Sequence, residues 1–153
     1  MMSIRVISIG KKHETWAVEG IQRYQKRLKK PFQIEWVILP HSSYSGVAAR
    51  QDESQRILNR LNASDYVVLL DGRGKIINSV DFSKLLLDQL ENSRLVTVVI
   101  GGAYGVDDTV QGRANFVLSL SKLVFPHQLV RLILTEQIYR AQEIAFGNPY
   151  HHE

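Results

Sequence analysis

Apolar and polar positions alternate along the first forty residues in two different periods, which predict strands and helices in turn. Residues 4–9 (IRVISI) alternate apolar and polar side chains and predict a first strand. Over residues 15–30 the apolar side chains recur at helical spacing, and Pro31 should end that helix. Residues 32–39 predict a second strand.

The middle of the chain continues the same order of elements. Residues 47–61 predict a helix, with Ala48 and Ile57 directed toward the core. The apolar run at 65–70 (DYVVLL) predicts a third strand, which ends at the sequence DGRGK. Ser79 should open the next helix, because a serine hydroxyl can cap the first free N–H groups of a helix.

The most apolar strand is predicted at residues 96–100 (VTVVI), and glycines follow it at once. An apolar run without polar alternation is typical of a strand that is buried on both faces, as in a parallel sheet. Gly101, Gly102 and Gly105 lie where that strand leaves the sheet. Open α/β sheets bind ligands at this edge, so these residues form a candidate ligand loop.

The last third of the chain predicts a short helix, a strand, a loop and a long helix. These elements cover residues 106–113, 115–120, 121–126 and 127–146. The long helix carries apolar residues on more than one face. Such a helix is either deeply buried or shared with a partner, so we expect a homodimer.

Together these elements predict a single α/β domain over residues 1–153, with a mostly parallel sheet flanked by helices. Three loops, at residues 70–75, 101–105 and 121–126, would then open at one sheet edge and form one pocket. The sequence contains neither GxGxxG nor GxxxxGK[ST], which disfavours a nicotinamide or ATP site.

Composition narrows the class of protein further. The chain has 153 residues, of which 44% are hydrophobic and 22% charged, as expected for a folded protein with a substantial core. It has no cysteine, which excludes disulfides, thiolate metal sites and a cysteine nucleophile. The histidines are too scattered to predict a metal site. No apolar stretch approaches the roughly 18 residues of a membrane span, and no signal peptide is recognisable, so we expect a cytoplasmic protein without membrane contact.

The net charge of +4 is concentrated in the first half of the chain. Five cations fall within one eight-residue window, namely Arg23, Lys26, Arg27, Lys29 and Lys30. They suit either a solvated helix face or a contact with the phosphate backbone of a nucleic acid. Charge alone leaves both interpretations open.

Five sequence blocks together resemble one known family. They are LLDGRGK (69–75), VIGGAYGV (99–106), LSLSKLVFPHQLVR (118–131), EQIYRA (136–141) and NPYHHE (148–153). In this order and spacing they resemble the RlmH (YbeA) family of SPOUT-class methyltransferases, over essentially the whole chain. The resemblance implies a homodimer with a C-terminal trefoil knot, here at about residues 66–153. It also implies methyl transfer from S-adenosylmethionine to N3 of a pseudouridine in 23S ribosomal RNA of the assembled ribosome.

The resemblance also implies functional residues, motif by motif. The donor would be bound by Leu70, Gly102, Ser121, Lys122, Leu123, Val124, Phe125 and Pro126. The implied catalytic residues are Arg131, Tyr150 and His151, and His152 would join the basic cluster in binding RNA. By residue type His151 is a candidate general base, whereas Arg131 could instead favour the deprotonated ring electrostatically. The alternative function is a non-catalytic ribosome- or RNA-binding protein of the same fold.

Overall fold

The computed structural model describes residues 4–152, in which five strands alternate with five helices. In chain order the elements are β1 (Ile4–Ile9), α1 (Thr15–Gln25), β2 (Ile34–Leu39), α2 (Gly46–Leu58), β3 (Tyr66–Lys75), α3 (Ser79–Glu91), β4 (Val96–Ile100), α4 (Asp108–Arg113), β5 (Phe116–Leu118) and α5 (His127–Ala145). Every predicted element is present, which confirms the α/β class.

The strands form one parallel sheet in the order β2-β1-β4-β3-β5. Val96, the first residue of β4, pairs with Ile4 of β1 on one side and with Tyr66 of β3 on the other. All five residues of β4 are buried, as the unbroken apolar run predicts. Because the three strands are in register, their carboxyl ends lie level with one another at one edge.

Apolar side chains pack on both faces of the sheet. Ile4 and Val6 of β1 belong to one cluster, which also contains side chains of α3 and α5. Ile7 and Ile9 belong to a second cluster, which contains Ile57 of α2 and residues of α4. Each fully buried aliphatic side chain contributes roughly 1.5–3 kcal/mol, so the helices on both faces share in stabilising the sheet.

Two boundaries near the basic segment differ from prediction. α1 ends at Gln25 instead of residue 30, and β2 begins at Ile34 instead of residue 32. The N–H groups of Arg27 and Leu28 bond the carbonyls three residues before them, so the chain tightens into turns there. Lysines and arginines crowd this stretch and Pro31 disfavours helix in the residue before it, which together explain the early end.

The phase of α2 also differs from prediction. Ala48 is exposed, and the residue that packs inward is Ala49, in line with Glu53 and Ile57. Ile57 was placed correctly. The predicted phase of Ala48 was wrong because a buried glutamate lies in the middle of the inward stripe, where the apolar pattern shows a gap.

The remaining differences concern caps and strand ends. Asn78, and not Ser79, caps α3, since its side-chain oxygen accepts from the N–H of Asp81 at 2.8 Å. Asp107 caps α4, which therefore begins two residues later than predicted. β5 spans only Phe116–Leu118, and α5 ends at Ala145. Among the described helices, none is long and apolar enough to cross a membrane.

β3 is longer than predicted because it leaves the sheet and returns to it. Leu70 and Lys75 both pair with Leu118, so residues 71–74 form an excursion from the strand. The excursion matches the loop predicted after this strand. Gly74 lies where it closes against β5, and a Cβ atom there would lie 2.6 Å from the carbonyl oxygen of Val117.

Replacing Gly74 with alanine should lower the free energy of unfolding by about 1–3 kcal/mol, because rigid backbone occupies the space that the methyl group needs. Gly72→Ala is the matched control, since a Cβ atom at Gly72 meets nothing within 4 Å. Urea unfolding of both variants measures the difference. Equal stability of the two variants would contradict the close approach of β3 to β5.

Candidate functional site

A cavity of about 920 Å³ lies at the carboxyl edge of the sheet. Residues 70–72, 100–103 and 118–125 line it, so the three predicted loops do form one pocket. The end of β1 and the first turn of α5 supply the facing wall. A cavity at this edge, formed where several strands end, is a common small-molecule site in α/β proteins.

Most of the residues implied to bind a donor lie in this cavity. Leu70, Gly102 and residues 121–125 line it, whereas Pro126 is outside the lining and occupies the N-cap position of α5. Leu123 and Val124 are 73% and 96% exposed. Two apolar side chains that are this exposed on one loop indicate a surface that a ligand or a partner covers.

The glycine turn after β4 is held by its own backbone and by α2. The N–H of Gly105 donates to the carbonyl of Gly102 at 3.0 Å, and Gly105 has φ of 73°, a conformation that favours glycine. A Cβ atom at Gly102 would lie 2.7 Å from Oε1 of the buried Glu53. The other oxygen, Oε2, accepts from the N–H of Ser42 at 2.9 Å. Gly102 therefore combines packing against α2 with backbone exposed to the cavity.

Arg131 lies on the cavity wall and is fully buried. Its Nη1 donates to Nδ1 of His13 at 3.1 Å. Its Nε and Nη2 have no hydrogen-bond partner within residues 4–152. Burial lowers the pKa of Arg131, and the negative charge of Glu14 partly offsets that effect.

Two histidines beside Arg131 are held neutral. Burial, then the charge of Arg131 and then that of His41, lower the pKa of His127 to about 4. The ring Nε2 of His127 lies 2.9 Å from Oγ of Ser8. Burial and Arg131 also lower the pKa of His13. Near neutral pH, therefore, the cation at this place is the guanidinium.

The C-terminal tail is anchored to α5 away from the large cavity. The hydroxyl of Tyr150 donates to Oε2 of Glu136 at 2.8 Å, and Nη2 of Arg140 contacts the same oxygen at 2.8 Å. Nη1 of Arg140 donates to Nδ1 of His151 at 3.0 Å. His151 lines a smaller cavity, which shares residues 118–120 with the large one. Neither Tyr150 nor His151 lines the large cavity of its own chain.

The hydrogen bonds of the tail determine which atoms carry protons. Burial and the bond to Glu136 raise the pKa of Tyr150, so its phenol stays protonated and acts as a donor. A guanidinium only donates, so Nδ1 of His151 is the acceptor in its contact with Arg140. Glu136 and Arg140 were not singled out from the sequence, although their spacing of four residues on a helix was a usable signal.

The basic cluster is exposed, and part of it lines a groove along α1. Arg23, Lys26 and Arg27 line this groove, together with Lys12, which the sequence analysis missed. Lys29 and Lys30 are exposed but lie outside the groove lining, and His152 is exposed on the tail. Over residues 4–152, no His, Cys, Asp or Glu side chains form a group of three or more that could hold a metal ion.

The depressed pKa of His127 predicts a pH-dependent stability. Between about pH 4 and 6.5 the unfolded chain binds a proton at this residue and the folded chain does not, so stability should fall as the pH falls through this window. The free energy of unfolding of His127→Asn, measured in urea, should fall less between about pH 7.5 and pH 5 than that of the unsubstituted protein. His152→Asn, at an exposed position, should keep the full dependence. An unchanged dependence in His127→Asn would contradict the buried neutral ring.

Curated relatives match this chain over almost its whole length. The ribosomal RNA large subunit methyltransferase H of Francisella philomiragia is 37% identical over 154 residues, which cover 98% of this chain and 99% of the relative. The protein of the same name from Enterococcus faecalis is 38% identical over 159 residues, which cover 98% of this chain and 99% of the relative.

Solved structures share the fold. A probable methyltransferase from Bordetella pertussis Tohama I has a TM-score of 0.57 and 12% identity, over 92% of this chain and 94% of that one. The A. aeolicus TrmH/SpoU tRNA modifying enzyme has a TM-score of 0.50 and 13% identity, over 100% of this chain and 83% of that one. The family described as predicted SPOUT methyltransferase matches residues 2–151. The match of this family model and the near full-length relatives lead to one conclusion, that the chain belongs to the SPOUT methyltransferase family.

Proposed function

We propose that this protein methylates N3 of a pseudouridine in the 23S ribosomal RNA of the assembled ribosome, with S-adenosylmethionine as methyl donor. The observation that carries the proposal is the near full-length identity of 37% to a relative named as a methyltransferase of the large-subunit ribosomal RNA. The cavity at the sheet edge supports it, because a non-catalytic RNA-binding protein of the same fold would have no use for a small-molecule site.

The cavity suits a donor that has an aromatic base at one end and a charged amino acid at the other. Its volume of about 920 Å³ is in the range of small-molecule sites. Residues 118–125 provide apolar side chains, and the turn at Gly102 exposes backbone groups. Leu70, Gly102 and residues 121–125 would therefore hold the donor. When bound, S-adenosylmethionine supplies a methyl group on a positively charged sulfur.

Methylation at N3 forms a nitrogen–carbon bond, breaks the sulfur–methyl bond and releases the proton of N3. We assign that proton to His151 as general base, with the hydroxyl of Tyr150 as a hydrogen-bond donor beside it. In this chain Arg140 donates to Nδ1 of His151, so this nitrogen can accept a proton only when that contact opens. Positioning of the ring against the donor should supply much of the acceleration.

The site is proposed to be completed by a second copy of the chain. His151 does not line the large cavity of its own chain, so the tail of a partner is needed if His151 is to act there. The exposed Leu123 and Val124, and a groove between α1 and α5 that Trp16 and Leu132 help to line, provide the apolar surface for a homodimer. A trefoil knot over about residues 66–153 and a cytoplasmic location belong to the same proposal.

The function is tested by methyl transfer to ribosomes from a strain that lacks the modification. With labelled S-adenosylmethionine, the protein should place the label on N3 of one pseudouridine of 23S RNA. His151→Ala should reduce single-turnover rates roughly 10²- to 10⁴-fold while calorimetry shows unchanged donor affinity. Ribosome binding with neither donor binding nor methyl transfer would favour the RNA-binding alternative. Full turnover by His151→Ala would contradict the assignment of the base alone.

The basic groove is proposed to bind RNA phosphates. Replacing three groove residues with glutamine should weaken ribosome binding and reduce the slope of log affinity against log salt by roughly 0.7–0.9 for each phosphate that the variant no longer neutralises. The variant carries changes at Arg23, Lys26 and Arg27. A control variant with the same change in charge replaces three cations elsewhere on the surface, Arg60, Lys75 and Lys84. Equal salt slopes in the two variants would exclude the groove, and Lys29, Lys30 and His152 would be tested next.

A further inference from the structure

Arg131 is a buried cation without a counter-anion. Its side chain is fully buried, and none of the ion pairs among residues 4–152 includes it. A buried charge is strongly disfavoured unless it is paired, so natural proteins seldom leave one alone. Because Arg131 lines the large cavity, the missing partner can come from a ligand in that cavity.

The unpartnered atoms of Arg131 define the shape of that partner. Nη1 is occupied by His13, whereas Nε and Nη2 have no partner in the described chain. Nε and Nη2 form one edge of the planar guanidinium and present two parallel N–H groups. This fork matches the two oxygens of a carboxylate.

Within residues 4–152, no acidic side chain forms an ion pair with Arg131. His13 and His127 are neutral because burial and Arg131 itself lower the pKa of each ring. Glu14 acts on Arg131 electrostatically, but its carboxylate is exposed and accepts from Nε1 of Trp16 at 2.7 Å.

Gly10 lies directly against the guanidinium. It lines the cavity with φ of 137°, a conformation that disfavours other residues. A Cβ atom there would lie 3.3 Å from Nη2 of Arg131 and 3.5 Å from the ring of His41. A side chain at this position would therefore crowd Nη2, one of the two atoms that lack a partner.

The start of α5 adds to the positive potential. The helix has no acidic residue in its first turn, and no side chain caps it. His127 and Gln128, its first two residues, line the cavity beside Arg131. The first N–H groups of a helix and the positive end of its dipole favour an anion.

We propose that this end of the cavity, formed by Gly10, His41, His127 and Arg131, binds the carboxylate of the methionine part of the methyl donor. The inference rests on the proposed function, since it concerns the donor named there. It gives Arg131 the role of binding the donor, instead of the electrostatic role toward the target ring that the sequence suggested. A phosphate of the RNA backbone fits less well, because a polymer backbone would have to enter the cavity to reach the guanidinium.

Calorimetry with two donors tests the proposal on the intact protein. S-adenosylmethionine should bind roughly 10- to 100-fold more tightly than its decarboxylated form, which lacks only the carboxylate. In Arg131→Met the affinity for S-adenosylmethionine should fall to that for the decarboxylated form, and the ratio should approach one. Because methionine fills similar space and removes an unpaired charge, this variant should melt no lower than the unsubstituted protein.

Two further variants keep the test decisive if Arg131→Met fails to fold. Arg131→Lys keeps the charge but loses the fork, so the ratio should shrink without reaching one. Arg94→Met should keep the full ratio, because the guanidinium of Arg94 bonds backbone carbonyls of Ser64 and Asp65 at the other end of the sheet.

A ratio near one in the unsubstituted protein, or an undiminished ratio in either Arg131 variant, would overturn the assignment. Loss of ribosome binding with unchanged donor affinity would assign Arg131 to the RNA instead. If the unsubstituted protein bound neither donor, the proposed function itself would fail.

Discussion

The parallel pairing of β4 with β1 and β3 is the interaction on which the rest of the structure depends. Because Val96 is in register with both Ile4 and Tyr66, the three strands end at one level. Loops far apart in the sequence therefore meet at one edge and enclose the cavity. The same pairing leaves both faces of the sheet apolar, so helices have to cover both, and α5 then brings Arg131 to the cavity wall.

The order of elements could be predicted because the apolar period changes at nearly every boundary. The errors occur where a polar residue lies at an inward position of a helix, or where a different polar residue caps the helix than the one expected. Glu53 interrupts the inward stripe of α2, and Asn78 caps α3 one residue before the serine that was expected to do so. The carboxylate of the buried Glu53 accepts from the N–H of Ser42, and periodicity along the helix does not show that contact.

The candidate site was predictable only in part, for a similar reason. The loops of the cavity carry glycines and follow strands, so their position at the sheet edge could be inferred. The surroundings of Arg131 could not, because His13 lies 118 residues away in the sequence. The contacts of the tail with Glu136 and Arg140 likewise depend on how the chain returns along α5. Residue type suggested that His151 can act as a general base. Only the fold shows that His151 lines the smaller cavity and not the large cavity of its own chain.

The excursion of β3 has a consequence for how this cavity can vary. Residues 71–74 leave the sheet at Leu118 and return to the same residue, so they form a small closed loop tied at a single point. The closure entropy of such a loop changes only slowly with its length. Residues could therefore be added between Asp71 and Arg73 without shifting the register of β3 or β5, while Gly74 keeps the closing contact. One wall of the cavity can thus change in size while the sheet that holds it stays the same.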